Sequence, residues 1–346
     1  MKNLQKMNLR ILLTAFFVIY LSVVSAQTIL ARGEQPQVTV DSKGLIRLVY
    51  GEKDKIFFST SADNGKTFSP PQLVGQIFEM HLGMTRGPQL ASSKDFSVVT
   101  AIDKSGNIHS FKLSHNSGKW QKLTNVNDAQ GSAPEGLMSI DADDQNNFYA
   151  VWLDLRENKK NNICISSLTS NSGWAKNKFA YTSPEDHVCE CCKPSIAVKG
   201  KNVSIMFRNW LRGSRDLYLM SSANGGKTFS AAQKLGTGTW QLKGCPMDGG
   251  SVTIDTNNEV RTAWQREGQV FYAEPGKPEQ RMGDGRHVDM SENIITWERG
   301  SDLIIKPVDL PEQKIGEGTA LKVLELLDQT KLFVWEKNDQ IVYKTN

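Results

Sequence analysis

The stretch Ser61-Ala62-Asp63-Asn64-Gly65-Lys66-Thr67-Phe68 returns almost unchanged as Ser222-Ala223-Asn224-Gly225-Gly226-Lys227-Thr228-Phe229. Both fit Ser-x-Asp/Asn-x-Gly-x-Thr-Phe. Ser114-His115-Asn116-Ser117-Gly118-Lys119-Trp120 is a degenerate third copy without the Thr, and Ser170 to Trp174 a more decayed fourth. These residue types specify a turn. An Asp or Asn side chain bonds amides of its own turn, and Gly supplies positive φ. The closing aromatic is placed to pack beneath the hairpin. The stretch therefore reads as a turn-builder, and Asp63 is not read as catalytic.

Around these turns the chain is a series of short β-rich runs broken by Gly, Asn, Asp and Ser, with no convincing amphipathic helix. A strand ending in an aromatic or apolar residue recurs at Ile46–Tyr50, Ser97–Ala101, Phe148–Trp152, Val203–Phe207, Val260–Trp264, Ile294–Trp297 and Leu332–Trp335. The separations, roughly 33 to 57 residues, match a propeller blade. Pro36-Gln37, Pro88-Gln89, Pro134-Glu135, Pro194-Ser195 and Pro246-Met247 each open an innermost strand, where proline costs no ladder bond. The expectation is an all-β, seven-bladed β-propeller, with six blades the alternative. The last repeat lacks a fourth strand, which Thr28 to Ala31 can supply; pairing the chain ends closes the ring.

The N-terminus reads as an export signal over residues 1–26, leaving 27–346 as one domain. Lys2, Lys6 and Arg10 precede an uncharged apolar run, Ile11 to Val24, and Val24-Ser25-Ala26 offers a cleavage site. That run is about 14 residues, short of the about 20 a spanning helix needs, so an uncleaved anchor is the lesser reading. No Cys follows it to carry a lipid, and no second run could span a bilayer. The location expected is the periplasm or the outside of the cell. Three of the 41 basic residues and none of the 37 acids lie in the signal, so the mature chain is near neutral. Such a balance gives no basis for nucleic-acid or anionic-membrane binding.

The two full turns resemble the Asp box, or BNR repeat, of sialidase-like propellers. That resemblance implies a glycan-acting hydrolase or a lectin-like module. In sialidases three arginines clamp a carboxylate, a Tyr activated by Glu attacks, and an Asp serves as acid and base. Thr85-Arg86-Gly87-Pro88 comes closest to the family's Arg-Ile-Pro, with Gly in the middle. Arg208, Arg212 and Arg215, with Arg156 and Arg266 at two strand ends, are further candidates; taken alone, each reads first as a solvated loop arginine or the partner of an acid such as Asp154 or Asp216. No Tyr–Glu pair can be assigned. Arg86, Arg208, Arg215, Asp216 and Asp248 are the residues a substrate would meet.

Five cysteines in an exported chain are expected to pair or to hold metal. His187-Val188-Cys189-Glu190-Cys191-Cys192-Lys193-Pro194 precedes one innermost strand, and Gly244-Cys245-Pro246-Met247-Asp248 precedes the next. Loops entering the innermost strands of adjacent blades share one mouth of the channel. These segments, with Arg215-Asp216-Leu217-Tyr218 between them, resemble an uncharacterised bacterial subgroup of sialidase-like propellers. Three readings stand. Cys189, Cys191, Cys192 and Cys245, with His187 and Met247, suit a soft ion, copper(I) first and zinc second. Alternatively, Cys189 or Cys192 bridges to Cys245 as a staple, or a disulfide is redox-active. The adjacent Cys191 and Cys192 do not make a zinc-finger pattern. Cys164, on an apolar strand, reads as a buried free thiol. Asp186, Glu190, Glu135, Met84, His287 and Met290 are supporting candidates around the mouth. The partner classes are a small molecule, a glycan or a metal ion.

Overall fold

A computed structural model of the protein describes residues 27–41, 43–170, 172–185 and 187–346. The proposed signal, residues 1–26, and Asp186 lie outside the described residues. The described chain forms seven antiparallel sheets, six built from sequence-adjacent strands and the seventh from the last three strands and the first. Their second strands are Ile46–Glu52, Phe96–Ile102, Phe148–Asp154, Asn202–Leu211, Val260–Arg266, Ile294–Arg299 and Lys331–Lys337. All seven expected repeats are blades, and six is not the count. Thr28–Arg32 pairs with Gln340–Thr345 as the outermost strand of the seventh blade, so the chain ends close the ring as expected. Among the described residues no helix is long and apolar enough to cross a membrane.

The aromatic at the end of the second strand is what holds neighbouring blades together. Trp152, Trp264, Trp297 and Trp335 are all nearly fully buried in the apolar layers of the blades. Truncating any of them to alanine costs roughly 3–5 kcal/mol.

The repeated turns have the anatomy their residues specify. Asp63 Oδ1 accepts from the Thr67 amide at 3.0 Å and Oδ2 from its hydroxyl at 2.5 Å, while Ser61 Oγ accepts from Gly65 N at 3.0 Å. Asn224 and Ser222 repeat this, with Thr228 N and Gly226 N each at 3.0 Å. The Thr67 bonds hold the Asp63 carboxyl down at about 2. Phe68 packs edge-on against Tyr343 of the seventh blade, 4.9 Å between ring centres. Asp63→Ala is expected to cost about 1–2 kcal/mol in urea unfolding while leaving the thiol count unchanged.

The fourth blade departs from the pattern. Its innermost strand is in two pieces, His187–Val188 and Ser195–Lys199, both paired to Asn202–Leu211. Val188 lies opposite Asn209 and Ser195 opposite Met206, so residues 189–194 bulge out against only two residues of the partner strand. The second strand runs on to Leu211 and returns through Arg212 and Gly213, both at positive φ, into Ser214–Ser222. The cysteine loop and this long hairpin rise together at one end of the channel.

Candidate sulfur centre at the channel mouth

The backbone fixes the cysteine loop first. Cys189 N donates to Arg208 O at 2.9 Å, and Cys192 N reaches back to Cys189 O at 3.4 Å. This tight turn brings Cys189 and Cys192 together, their sulfurs 2.8 Å apart. Cys191 Sγ lies 3.7 Å from Cys189 Sγ and 4.0 Å from Cys192 Sγ. The three sulfurs fall within 4.8 Å of one another. Cys191 forms a disulfide with Cys245, Cα to Cα 6.2 Å, joining the loops of the fourth and fifth blades. The convergence of all four cysteines on one mouth is therefore as expected.

The pairing differs from the expectation that Cys189 or Cys192 would bridge to Cys245. The turn buries those two completely and leaves Cys191 half-buried on the side of Cys245, which is exposed. The spacing also held a signal that the adjacent cysteines obscured: Cys189-Glu190-Cys191-Cys192 is a Cys-x-x-Cys pair with one cysteine inside it. Cys164 is buried and free, as expected, and burial pushes its thiol far up.

Close approach of the two loops depends on Gly249. A Cβ built there would stand 1.8 Å from the Lys193 carbonyl oxygen. Only a residue without a side chain lets the 244–250 segment lie against the 189–194 turn.

Arg215 serves the sulfurs directly. Nη1 donates to Cys189 Sγ at 3.1 Å and to Glu190 Oε2 at 3.0 Å, and Nη2 to Glu190 Oε1 at 3.3 Å. The guanidinium lies over the Trp210 ring at 5.3 Å. Arg208 is buried, and its donors are committed to the carbonyls of Asp248 (2.9 Å), Arg215 (2.7 Å) and Gln265 (2.8 Å). It is a spoke tying three segments, and it contributes charge to the cluster without presenting a free face.

Burial alone would raise the Cys189 thiol. The hydrogen bond shared with Cys192, and the charges of Arg208 and Arg215, outweigh burial and bring it down to about 7. Cys192 moves up, from burial and from its hydrogen bond and charge interaction with Cys189. The pair therefore gives up its first proton below the range of an ordinary thiol and its second above it. Thiolate absorbance is expected to rise with a midpoint at about 7. Arg215→Met removes a donor and a positive charge, so that midpoint should move up and the neutral-pH thiolate fraction fall. An unchanged midpoint would show that Arg215 does not stabilise the thiolate.

The other candidates divide into those beside the sulfurs and those held elsewhere. Asp248 is buried, which raises its carboxyl; its Oδ2 accepts from His287 N at 2.7 Å, and its own amide donates to Cys192. Glu190 joins Arg215 to His187, whose Nδ1 is 3.6 Å from Glu190 and 2.7 Å from Val188 O, with the ring against Trp210. His187 stands outside the group of three sulfurs. Met247, half-buried at φ +53°, lies on the Cys245 loop. Burial raises Glu135, while Arg86 and Asn161 pull it down and Glu190 raises it further, so a chain of charges runs from Arg86 to the cluster. Arg86 itself donates from Nε to Glu135 O at 2.6 Å. Asp216 is turned away, accepting from Trp240 N at 2.9 Å. Arg156 is paired with Asp154 at 2.8 Å and Arg266 with Glu279 at 2.5 Å, the acid-partner role weighed for such arginines.

The loop also reaches the channel. Lys193, directly after Cys192, lines a central cavity of about 460 Å³ with Gln89, Asp141, Ser251, Asp289 and Lys322. Its ammonium donates to Gln89 Oε1 at 2.7 Å, and burial, with Lys322 nearby, brings it down to about 7. Asp289 pairs with Lys322. Burial pushes Asp141 up to about 7. Asp141, Asp289 and Lys322 come from innermost strands and Lys193 from the bulge after Cys192; none was singled out from the sequence. His287 is engaged on the wall, Nδ1 to Glu298 at 2.7 Å.

Three solved structures similar to this chain align with it at low identity. A lectin from Burkholderia pseudomallei aligns with TM-score 0.63 at 8% identity, covering 90% of this chain and 95% of its own. Virginiamycin B lyase from Staphylococcus aureus, solved with quinupristin, aligns with TM-score 0.53 at 12% identity over 93% and 99%. A Hadza microbial sialidase aligns with TM-score 0.51 at 12% identity, covering 91% of this chain and 65% of the sialidase. At these identities the likeness shows the fold alone. No protein-family description and no curated protein matches the sequence.

Proposed function

We propose that the cysteine cluster binds a soft metal ion, copper(I) ahead of zinc, with Cys189 and Cys192 as the primary ligands. One observation carries this: three sulfurs within 4.8 Å of one another, those of Cys189 and Cys192 fully buried, with Arg215 Nη1 on Cys189 Sγ at 3.1 Å; a bound ion would spread Cys189 and Cys192 from their 2.8 Å separation. Thiolates select copper(I) and zinc, and copper(I) accepts ligation by two of them. Binding would displace the Cys192 proton, and Arg208 and Arg215 would offset the negative charge of the dithiolate. Zinc wants a closed set of four ligands, which requires reduction of the Cys191–Cys245 bond. His187 and Met247 are flanking donors. Arg86, Glu135 and Asp248 are the polar groups that a substrate or second ligand would meet.

The setting proposed is an exported Asp-box propeller of the sialidase-like kind, in the periplasm or outside the cell after loss of residues 1–26. A second reading, a small molecule or glycan in the channel, is favoured by the polar cavity of about 460 Å³. The proteins with similar folds include one called a lectin and one called a sialidase.

The metal reading is tested by loading purified protein with copper(I) in competition with a chelator of known affinity. One equivalent should be retained, and Cys189→Ser and Cys192→Ser should each weaken retention by at least about a hundredfold, as loss of one of two ligands requires. Equal retention in both variants would remove the proposal. Thermal shifts across simple sugars and sugar acids, with Gln89→Ala as comparison, test the second reading; no shift with any of them sinks it.

A further inference from the structure

Four sulfurs in one place leave their pairing open to exchange. Cys191 Sγ is bonded to Cys245 Sγ and also lies 3.7 Å from Cys189 Sγ, which in turn is 2.8 Å from Cys192 Sγ. Thiolates attack disulfides through mixed disulfides, and each bond on this route joins sulfurs that are already neighbours. The Arg215 donor at 3.1 Å marks Cys189 as the attacking sulfur. Accessibility rises along the route. Cys189 and Cys192 are 0% and 1% exposed, Cys191 is half-buried, and Cys245 is exposed.

We infer that the cluster is a two-tier thiol–disulfide relay, in which the buried Cys189/Cys192 pair supplies electrons through Cys191 and Cys245 to a small external disulfide. This goes beyond metal binding and stands on the sulfur geometry alone. In the first step the Cys189 thiolate bonds to Cys191 Sγ, the Cys191–Cys245 bond breaks, and Cys245 leaves as a thiolate. Next, Cys192 gives its proton to a released thiolate and bonds to Cys189 Sγ. The Cys189–Cys191 bond breaks and Cys191 is released. The disulfide has moved inward with no gain or loss of electrons, leaving one thiol and one thiolate at the surface. These reduce an external disulfide RSSR to RSH and RS⁻ as the Cys191–Cys245 bond re-forms. The chain ends with both pairs oxidised, its two electrons transferred.

The test uses the full mature chain, freed of metal by a chelator so that failure of copper binding cannot mimic failure of exchange. Native protein is incubated with iodoacetamide, acid-quenched, and mapped by mass spectrometry without reduction. Wild type should accumulate alkylated Cys245 together with a Cys189–Cys192 disulfide. Cys192→Ser should stop at a Cys189–Cys191 disulfide with Cys245 alkylated. In Cys189→Ser, alkylation of Cys245 should fall by at least about tenfold. A melting curve establishes that each variant folds, and the wild-type and Cys192→Ser results stand if Cys189→Ser does not. A Cys191–Cys245 disulfide that persists in wild type and Cys192→Ser, with Cys245 unlabelled, would overturn the relay.

Discussion

Gly249→Ala is expected to cost at least about 3 kcal/mol in urea unfolding and to cut the yield of the Cys191–Cys245 crosslink sharply. The added methyl would sit 1.8 Å from the Lys193 carbonyl oxygen, 2.8 Å from its carbon and 3.0 Å from its nitrogen. All three are backbone atoms, so no rotamer change relieves the clash. The 244–250 loop must move away from the cysteine turn, taking Cys245 with it. Copper retention at Cys189 and Cys192 should survive in the fraction that folds, because both ligands lie on the other loop. Stability equal to wild type would mean that the two loops do not lie against each other as described.

Arg208→Ala should be comparably damaging for a different reason. Three buried carbonyls, of Asp248, Arg215 and Gln265, lose their donor. Each unsatisfied group costs about 1–3 kcal/mol, so a loss of about 4 kcal/mol or more is expected even if water enters part of the gap. Arg208→Lys should rescue little, because a single ammonium cannot span three carbonyls held in a planar fork. The thiolate midpoint of Cys189 should also move up, since Arg208 is one of the charges that lower it. A loss below about 1 kcal/mol would contradict the spoke role.

Arg208 also shows where reading from sequence reached its limit. As one of three arginines in the stretch before Asp216 it was a candidate to meet substrate. Its commitment depends on three carbonyls from separate segments, which no local pattern encodes. The blades were legible because each second strand carries its own signal, an apolar run with an aromatic or apolar end that must bury between sheets. The turns at Asp63 and Asn224 were legible because the side-chain bonds of those two residues lie within four residues. Shared location of the cysteine loops followed from topology, since neighbouring innermost strands begin side by side. Which sulfur meets Cys245 did not follow. Adjacent Cys191 and Cys192 differ in burial because the 189–194 bulge is held by Cys189 N on Arg208 O and by Cys192 N on Cys189 O. The channel charges were equally hidden: facing inward depends on strand register for Asp141, Asp289 and Lys322, and on the 189–194 bulge for Lys193.

X-ray absorption at the copper edge, on protein carrying one equivalent of copper(I), addresses the metal centre most directly. The account predicts a first coordination sphere made of two sulfurs, lost in the Cys189→Ser, Cys192→Ser double variant. A sphere of nitrogen and oxygen alone, or an unchanged spectrum in that variant, would place the ion elsewhere and contradict the account.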